Sequence, residues 1–215
     1  MDELKEGFDY LKRTPSIGFI ILLLAFISLL ALPFTTLLPV YAKEIFKGNA
    51  STFGYLNSAI GLGAICGTFF LASLKSGANL RRVLFINTVI FGAGLILFSH
   101  ITNLPLALLV AVLVGFGMMS QTTVSNTIIQ TTVHHTMRGR VISFFAMAFF
   151  GMMPLGSLLI GAVSQRIGAP DTILSQGIIA ILIALLFSPF LRKDRLERKN
   201  KEQLEAAEDE ALEVL

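Results

Sequence analysis

The side chains best able to recognise a small polar group are concentrated in "SQTTVSNTIIQT", residues 120 to 131. On a helix, Thr123, Asn126, Thr127, Gln130 and the following His134 fall at i, i+3, i+4, i+7 and i+11, an arc of about 100°. Amides and hydroxyls in such a row donate and accept hydrogen bonds, which is the chemistry of holding a ligand. The same row also suits hydrogen bonding to a neighbouring helix, at roughly 0.6 to 2 kcal/mol for each residue. Gln121 and Ser125 lie on another side and read as bonds within a helix bundle.

Bond-breaking chemistry has little to work with. His100, His134 and His135 all sit in or beside polar loops, and the long apolar segments contain no Asp, Glu or His. A metal cluster or catalytic dyad therefore cannot be assembled inside them. His134 and His135 are adjacent, so their side chains point in different directions on a helix end and read as interfacial polar residues. Ser157 follows a glycine in "PLGSLLIG" but has no histidine partner in any apolar segment. The expectation is a protein that is not an enzyme and needs no metal or cofactor. Cys66 lies in an apolar run and reads as a buried, inert thiol.

The elements that would carry these residues are membrane helices. Of 215 residues, 54% are hydrophobic and only 14% charged, where a soluble domain has about a quarter charged. Crossing the hydrocarbon takes about 20 mostly apolar residues. Six uncharged segments qualify: 17–41, 53–74, 83–99, 104–130, 141–164 and 172–191. A barrel would need many short alternating segments instead, and in lipid only helices otherwise satisfy the backbone. An even number of crossings puts both termini on one side. That side carries nearly all of the Lys and Arg, including Arg81, Arg82, Arg138 and Arg140, whereas Lys43, Lys47 and Arg166 fall on the other. The positive-inside rule makes the first side cytoplasmic. The net charge of +3 implies no nucleic-acid partner.

Within the bundle, small residues permit close backbone approach. Ala59, Gly63 and Gly67 form one stripe at four-residue intervals, and Ser157 with Gly161 repeats the device in the fifth span. Pro33, Pro39 and Pro154 interrupt otherwise regular helices and free carbonyl groups. Residues 1–16 read as an amphipathic connector carrying Leu4, Phe8 and Leu11 on one face. Residues 192–215 read as a solvated charged tail, first basic and then acidic.

Particular motifs in these segments resemble a known family. "SNTIIQTTVHHTMRGRVIS" is similar to a stretch near the end of the tenth helix of major facilitator superfamily transporters, in the branch that includes enterobactin exporters and macrolide efflux proteins. The matching pattern is N-T-x-x-Q followed by R-G-R-V, here Asn126, Thr127, Gln130, Arg138, Gly139, Arg140 and Val141. "LPVYAKEIF", "GYLNSAIGLGAICG" and "PLGSLLIGAVSQRIG" fit the same branch. The loop "LKSGANLRRVLF" keeps Gly77, Arg81 and Arg82 of the superfamily's loop signature and lacks its aspartate.

The resemblance covers nearly the whole chain and only the second half of a twelve-helix fold. It implies an all-α membrane protein corresponding to helices seven to twelve, two inverted three-helix repeats. It further implies a secondary transporter of the bacterial inner membrane exporting a drug-like or siderophore-like molecule. Its partners would be the lipid bilayer, the small-molecule substrate, and either an amino-terminal half or a second copy of this chain. In that family the first and fourth helices of each half line a central cavity. The resemblance thus makes Ser28, Thr35, Thr123, Asn126, Thr127 and Gln130 candidate cavity residues, with Asn57 of the second span beside them. Arg81, Arg82, Arg138 and Arg140 become candidates for the cytoplasmic gate. The alternative expectation is a non-transporting membrane protein or interaction subunit.

Overall fold

The structure is a computed structural model and describes residues 2–75 and 77–189. The charged tail and the last residues of the sixth expected span lie outside the described residues. Among the described residues there is no strand. A short helix, α1 (Asp2–Arg13), precedes six helices long and apolar enough to cross a membrane. These are α2 (Pro15–Ile45), α3 (Ala50–Ala72), α4 (Leu80–Ser99), α5 (Leu104–Thr132), α6 (Arg138–Ile167) and α7 (Ala169–Pro189).

Three of the spans begin at an asparagine whose side chain satisfies one of the first N–H groups. Asn49 accepts from Ser51 N–H at 2.9 Å ahead of α3, Asn79 from Arg82 N–H at 3.1 Å ahead of α4, and Asn103 from Leu106 N–H at 3.3 Å ahead of α5. An asparagine at this position typically stabilises a helix by about 1 kcal/mol. α6 ends at Gly168, whose φ of 85° is the left-handed conformation glycine adopts without strain.

Two spans are irregular. In α2, Pro33 and Pro39 bring a 3-10 stretch over Leu32–Leu37, and a π turn follows over Tyr41–Ile45. In α6 a π turn covers Met147–Gly151. Proline removes a backbone donor, so the carbonyls it faces must find other partners. Within this irregular stretch Ala31 O accepts both from Phe34 N–H at 3.2 Å and from Gln176 Nε2 of α7 at 3.3 Å, and Ala31 and Gln176 are fully buried. The far end of α2 is tied by Tyr41, whose hydroxyl donates to Ser99 O at 2.7 Å.

Glycines set the helix spacing. A Cβ at Gly63 of α3 would lie 1.9 Å from Val112 O, and one at Gly115 of α5 would lie 2.0 Å from Ile60 O. Gly67 stands against Ser120 and Phe116, and Ala59 packs on the apolar core. Gly92 and Gly177 bring α4 and α7 into backbone contact in the same way. Between α2 and α6 the close residue is Gly156, beside Leu29 O and Pro33. Gly161 is not part of such a seam: nothing lies within 4 Å of an added Cβ there. It is turned away from the buried line of Gly156 and Ile160. Ser157 is half-buried and returns its hydroxyl to Met153 O at 3.0 Å.

α1 docks on the start of α6. Gly7 is buried against Phe144 and Arg140, the Glu6 carboxylate pairs with Arg140, and Tyr10 Oη accepts from His134 N–H at 3.5 Å. Phe8 is exposed, with Lys12 Nζ 4.7 Å above its ring. Cys66 is exposed rather than buried, on a helix that buries only 22% of its most apolar stretch.

Candidate functional site

The polar stretch of α5 is divided by depth. Ser120, Gln121 and Ser125 are fully enclosed; Thr122, Thr123, Asn126 and Thr127 are half-buried; Gln130 and Thr131 are exposed. Most of its hydroxyls are used within the helix. Thr122 donates to Met118 O, Ser125 to Gln121 O, Thr127 to Thr123 O and Thr131 to Thr127 O, all at 2.8 to 2.9 Å. Such back-bonding supplies a donor that a bare apolar helix would not need, and leaves the hydroxyl oxygen as an acceptor. Gln130 Nε2 donates to Asn126 Oδ1 at 3.1 Å. This pair fixes both amides and leaves the Asn126 NH₂ and the Gln130 carbonyl oxygen directed elsewhere.

The other candidates do not gather around that pair. Ser28 is fully enclosed in the bundle and its Oγ has no hydrogen-bond partner, so it faces no open surface of this chain. Thr35 is half-buried in the 3-10 stretch and reaches Leu32 O at 3.4 Å. Asn57 is exposed and donates to Phe53 O at 2.9 Å. Thr35 and Asn57 lie toward the end of the bundle opposite α1, whereas Asn126 and Gln130 lie at the α1 end. The candidates thus form two separate groups along the membrane axis. Thr36, which sequence reasoning passed over, is exposed next to Thr35 and donates to Pro33 O at 2.7 Å.

At the α1 end, Arg81 and Arg138 are half-buried and Arg82 is exposed. Arg140 pairs with Glu6 and also lies 3.3 Å from Met137 Sδ. Glu6 was not among the sequence candidates; an acidic residue in an amphipathic segment carries no mark of its partner. An open groove of about 440 Å³ between α3 and α5 is lined by Ala64, Ile65, Thr68, Phe69, Ala72 and Met119. Thr68 gives its hydrogen to Ala64 O, so the groove offers little to orient a polar ligand. Among the described residues no group of three His, Cys, Asp or Glu side chains stands close enough to hold a metal ion.

Two helices are much less covered than the rest. α3 and α6 bury 22% and 17% of their most apolar stretch, against 61% for α2. Tyr55, Leu62, Ile65 and Phe69 on α3, and Met147, Phe150, Leu155 and Leu158 on α6, are exposed.

Comparison with known proteins agrees with the architecture. A family model described as a transmembrane secretion effector matches residues 1–214. The chain is 28% identical over 195 residues to the staphyloferrin A transporter of Staphylococcus aureus, covering 90% of this chain and 48% of that protein. It is 24% identical over 201 residues to the multidrug efflux pump Tap of Mycolicibacterium fortuitum, again covering 90% and 48%. An uncharacterised transporter of Bacillus subtilis, YvqJ, is 25% identical over 198 residues, covering 92% and 46%. The chain therefore spans about half the length of the curated relatives it matches. No solved structure matches it significantly. With six apolar helices in the arrangement of half a twelve-helix transporter and a family match along nearly its whole length, this multi-pass membrane protein belongs to the major facilitator superfamily, in its transmembrane secretion effector family.

Proposed function

We propose that this chain supplies one half of a secondary active transporter that exports a drug-like or siderophore-like small molecule by alternating access. The observation that carries the reading is the family match over residues 1–214 together with coverage of 48% of two transporter relatives. The thinly covered faces of α3 and α6 support a second bundle, either an amino-terminal half or another copy, as the partner against which this one rocks. The excess of Lys and Arg at the α1 end supports placing that end in the cytoplasm. Asn126, Thr127, Thr123 and Gln130 then contact substrate from the cytoplasmic side, and Thr35 and Asn57 from the opposite side.

The test is efflux from cells or liposomes containing this chain alone and together with a six-helix amino-terminal half. Compound-dependent efflux that requires the paired bundles is the expected result. Correct insertion without movement of any siderophore or drug, alone or paired, overturns the reading in favour of a membrane protein that does not transport.

A further inference from the structure

Two apolar clusters fill the bundle. The one nearer α1 includes Leu24, Leu84, Val124 and Ile128, and the other includes Ile27, Phe91, Leu95 and Val114. On α4 and α5 the boundary between them is polar, with Asn87 and Gln121 at 1% and 0% exposure. Gly117 packs on the Phe91 backbone and Gly94 on Val114, which fixes the antiparallel register of these helices. One turn along the same register, Asn87 stands level with Gln121, each on the face turned to the other helix.

Both amides have their orientation set by their own helix. Asn87 Nδ2 donates to Val83 O at 2.9 Å, and a flipped amide would set two oxygens against each other. Gln121 Nε2 donates to Thr122 Oγ1 at 3.4 Å, and Thr122 has already committed its hydrogen to Met118 O at 2.9 Å. A flip there would likewise oppose two acceptors. The result is two amide oxygens, Asn87 Oδ1 and Gln121 Oε1, buried at one level without a hydrogen-bond partner. Acceptors left unsatisfied in a low-dielectric interior are costly, and native proteins rarely keep them so.

We propose that one buried water molecule binds between Asn87 and Gln121 and donates one hydrogen to each amide oxygen. The ligand must be small, must carry two hydrogens and must be neutral, because α4 beyond Arg82 and all of α5 contain no charged residue to balance an ion. Water meets all three conditions, and buried waters typically bridge about two to four such groups. The proposal stands independently of transport, since it concerns only the seam between two helices of this chain.

Two measurements test it. A structure of the full chain in lipid nanodiscs, at a resolution that shows ordered water, should place a solvent peak within hydrogen-bond distance of both oxygens. A direct amide-to-amide bond, or both oxygens without solvent, overturns the proposal. In unfolding experiments, Asn87→Leu and Gln121→Leu should each lower the midpoint, since either leaves the water with one partner and the other oxygen stranded. The double variant should lose less than the sum of the two shifts. Strictly additive losses count against a shared water, and if the variants do not fold the nanodisc structure decides.

Discussion

Gly63 of α3 meets Val112 of α5 backbone to backbone, with the Val112 carbonyl oxygen 1.9 Å from where a Cβ on Gly63 would stand. The reciprocal contact of Gly115 with Ile60 O, at 2.0 Å, makes this a two-sided lock. In a membrane, where lipid is as apolar as leucine, such close packing is a principal force joining helices.

Gly63→Ala and Gly115→Ala should therefore each destabilise the bundle by about 1–3 kcal/mol or more, the usual effect of overpacking. Gly61→Ala, where nothing lies within 4 Å of the added methyl, should leave stability within about 0.5 kcal/mol of the parent. Unfolding midpoints in mild detergent measure the contrast. Equal effects at Gly61 and Gly63 would contradict the assignment of the seam.

Gln176→Leu removes the interhelical donor to Ala31 O at the break in α2 while keeping similar volume, and leaves that carbonyl the Phe34 N–H. The expected loss is about 0.6 to 2 kcal/mol, the range for an interhelical bond in a membrane protein. Amide hydrogen exchange should rise locally over Leu32–Leu37 before it rises elsewhere. Unchanged exchange in that stretch would show that the break holds without this bond.

The docking of α1 separates packing from charge. Glu6→Gln should cost well under about 1 kcal/mol, because the Glu6–Arg140 pair is solvent-accessible and an exposed pair contributes little. Gly7→Leu should detach α1, since an added Cβ would already lie 2.9 Å from the Phe144 ring. Protease cleavage between Arg13 and Ile17 reads the difference, with rapid cutting expected only in the Gly7 variant.

If the α1 end is cytoplasmic, then in a Cys66→Ser background Lys43→Cys should react with an impermeant thiol reagent added to intact cells, and Gly139→Cys only after permeabilisation. The two positions lie at opposite ends of the bundle and neither contacts the close-packed seams. The reverse pattern would invert the proposed orientation.

For the proposed substrate contact, Asn126→Leu should raise the half-saturating substrate concentration about five-fold, the factor that corresponds to about 1 kcal/mol for one hydrogen bond. Asn126 also holds Gln130 at 3.1 Å, so Gln130→Leu is the necessary companion. A transporter indifferent to both changes would remove this pair from the site.

The six spans are legible in the sequence because membrane solubility depends on length and composition, and those survive without knowledge of the fold. Which side of a span faces its neighbours is far less legible. These helices are apolar all round, so no stripe distinguishes lipid from protein. Gly63 and Gly67 are close-packed as their spacing suggests, yet Gly161, chosen by the same reasoning, has open space above it. Cys66 reads as buried because its neighbours are apolar, and lipid-facing residues are apolar too. Ser28 reads as a cavity residue and is enclosed, while Gln176 and Asn87 carry no mark of their role in the sequence, because a lone polar side chain reveals its purpose only when its partner is known. The division of "SQTTVSNTIIQT" into enclosed, half-buried and exposed residues is the part of the candidate site that helical geometry alone could anticipate.

The glycine seam also orders events during synthesis. α3 is made before α5, so Gly63 and Gly67 cannot meet Val112, Phe116 and Ser120 until α4 and a four-residue connection have followed. A bulky side chain at Gly63 would then act first on assembly at the translocon. Its earliest sign would be α3 handed to quality-control proteases, ahead of any change in the mature protein.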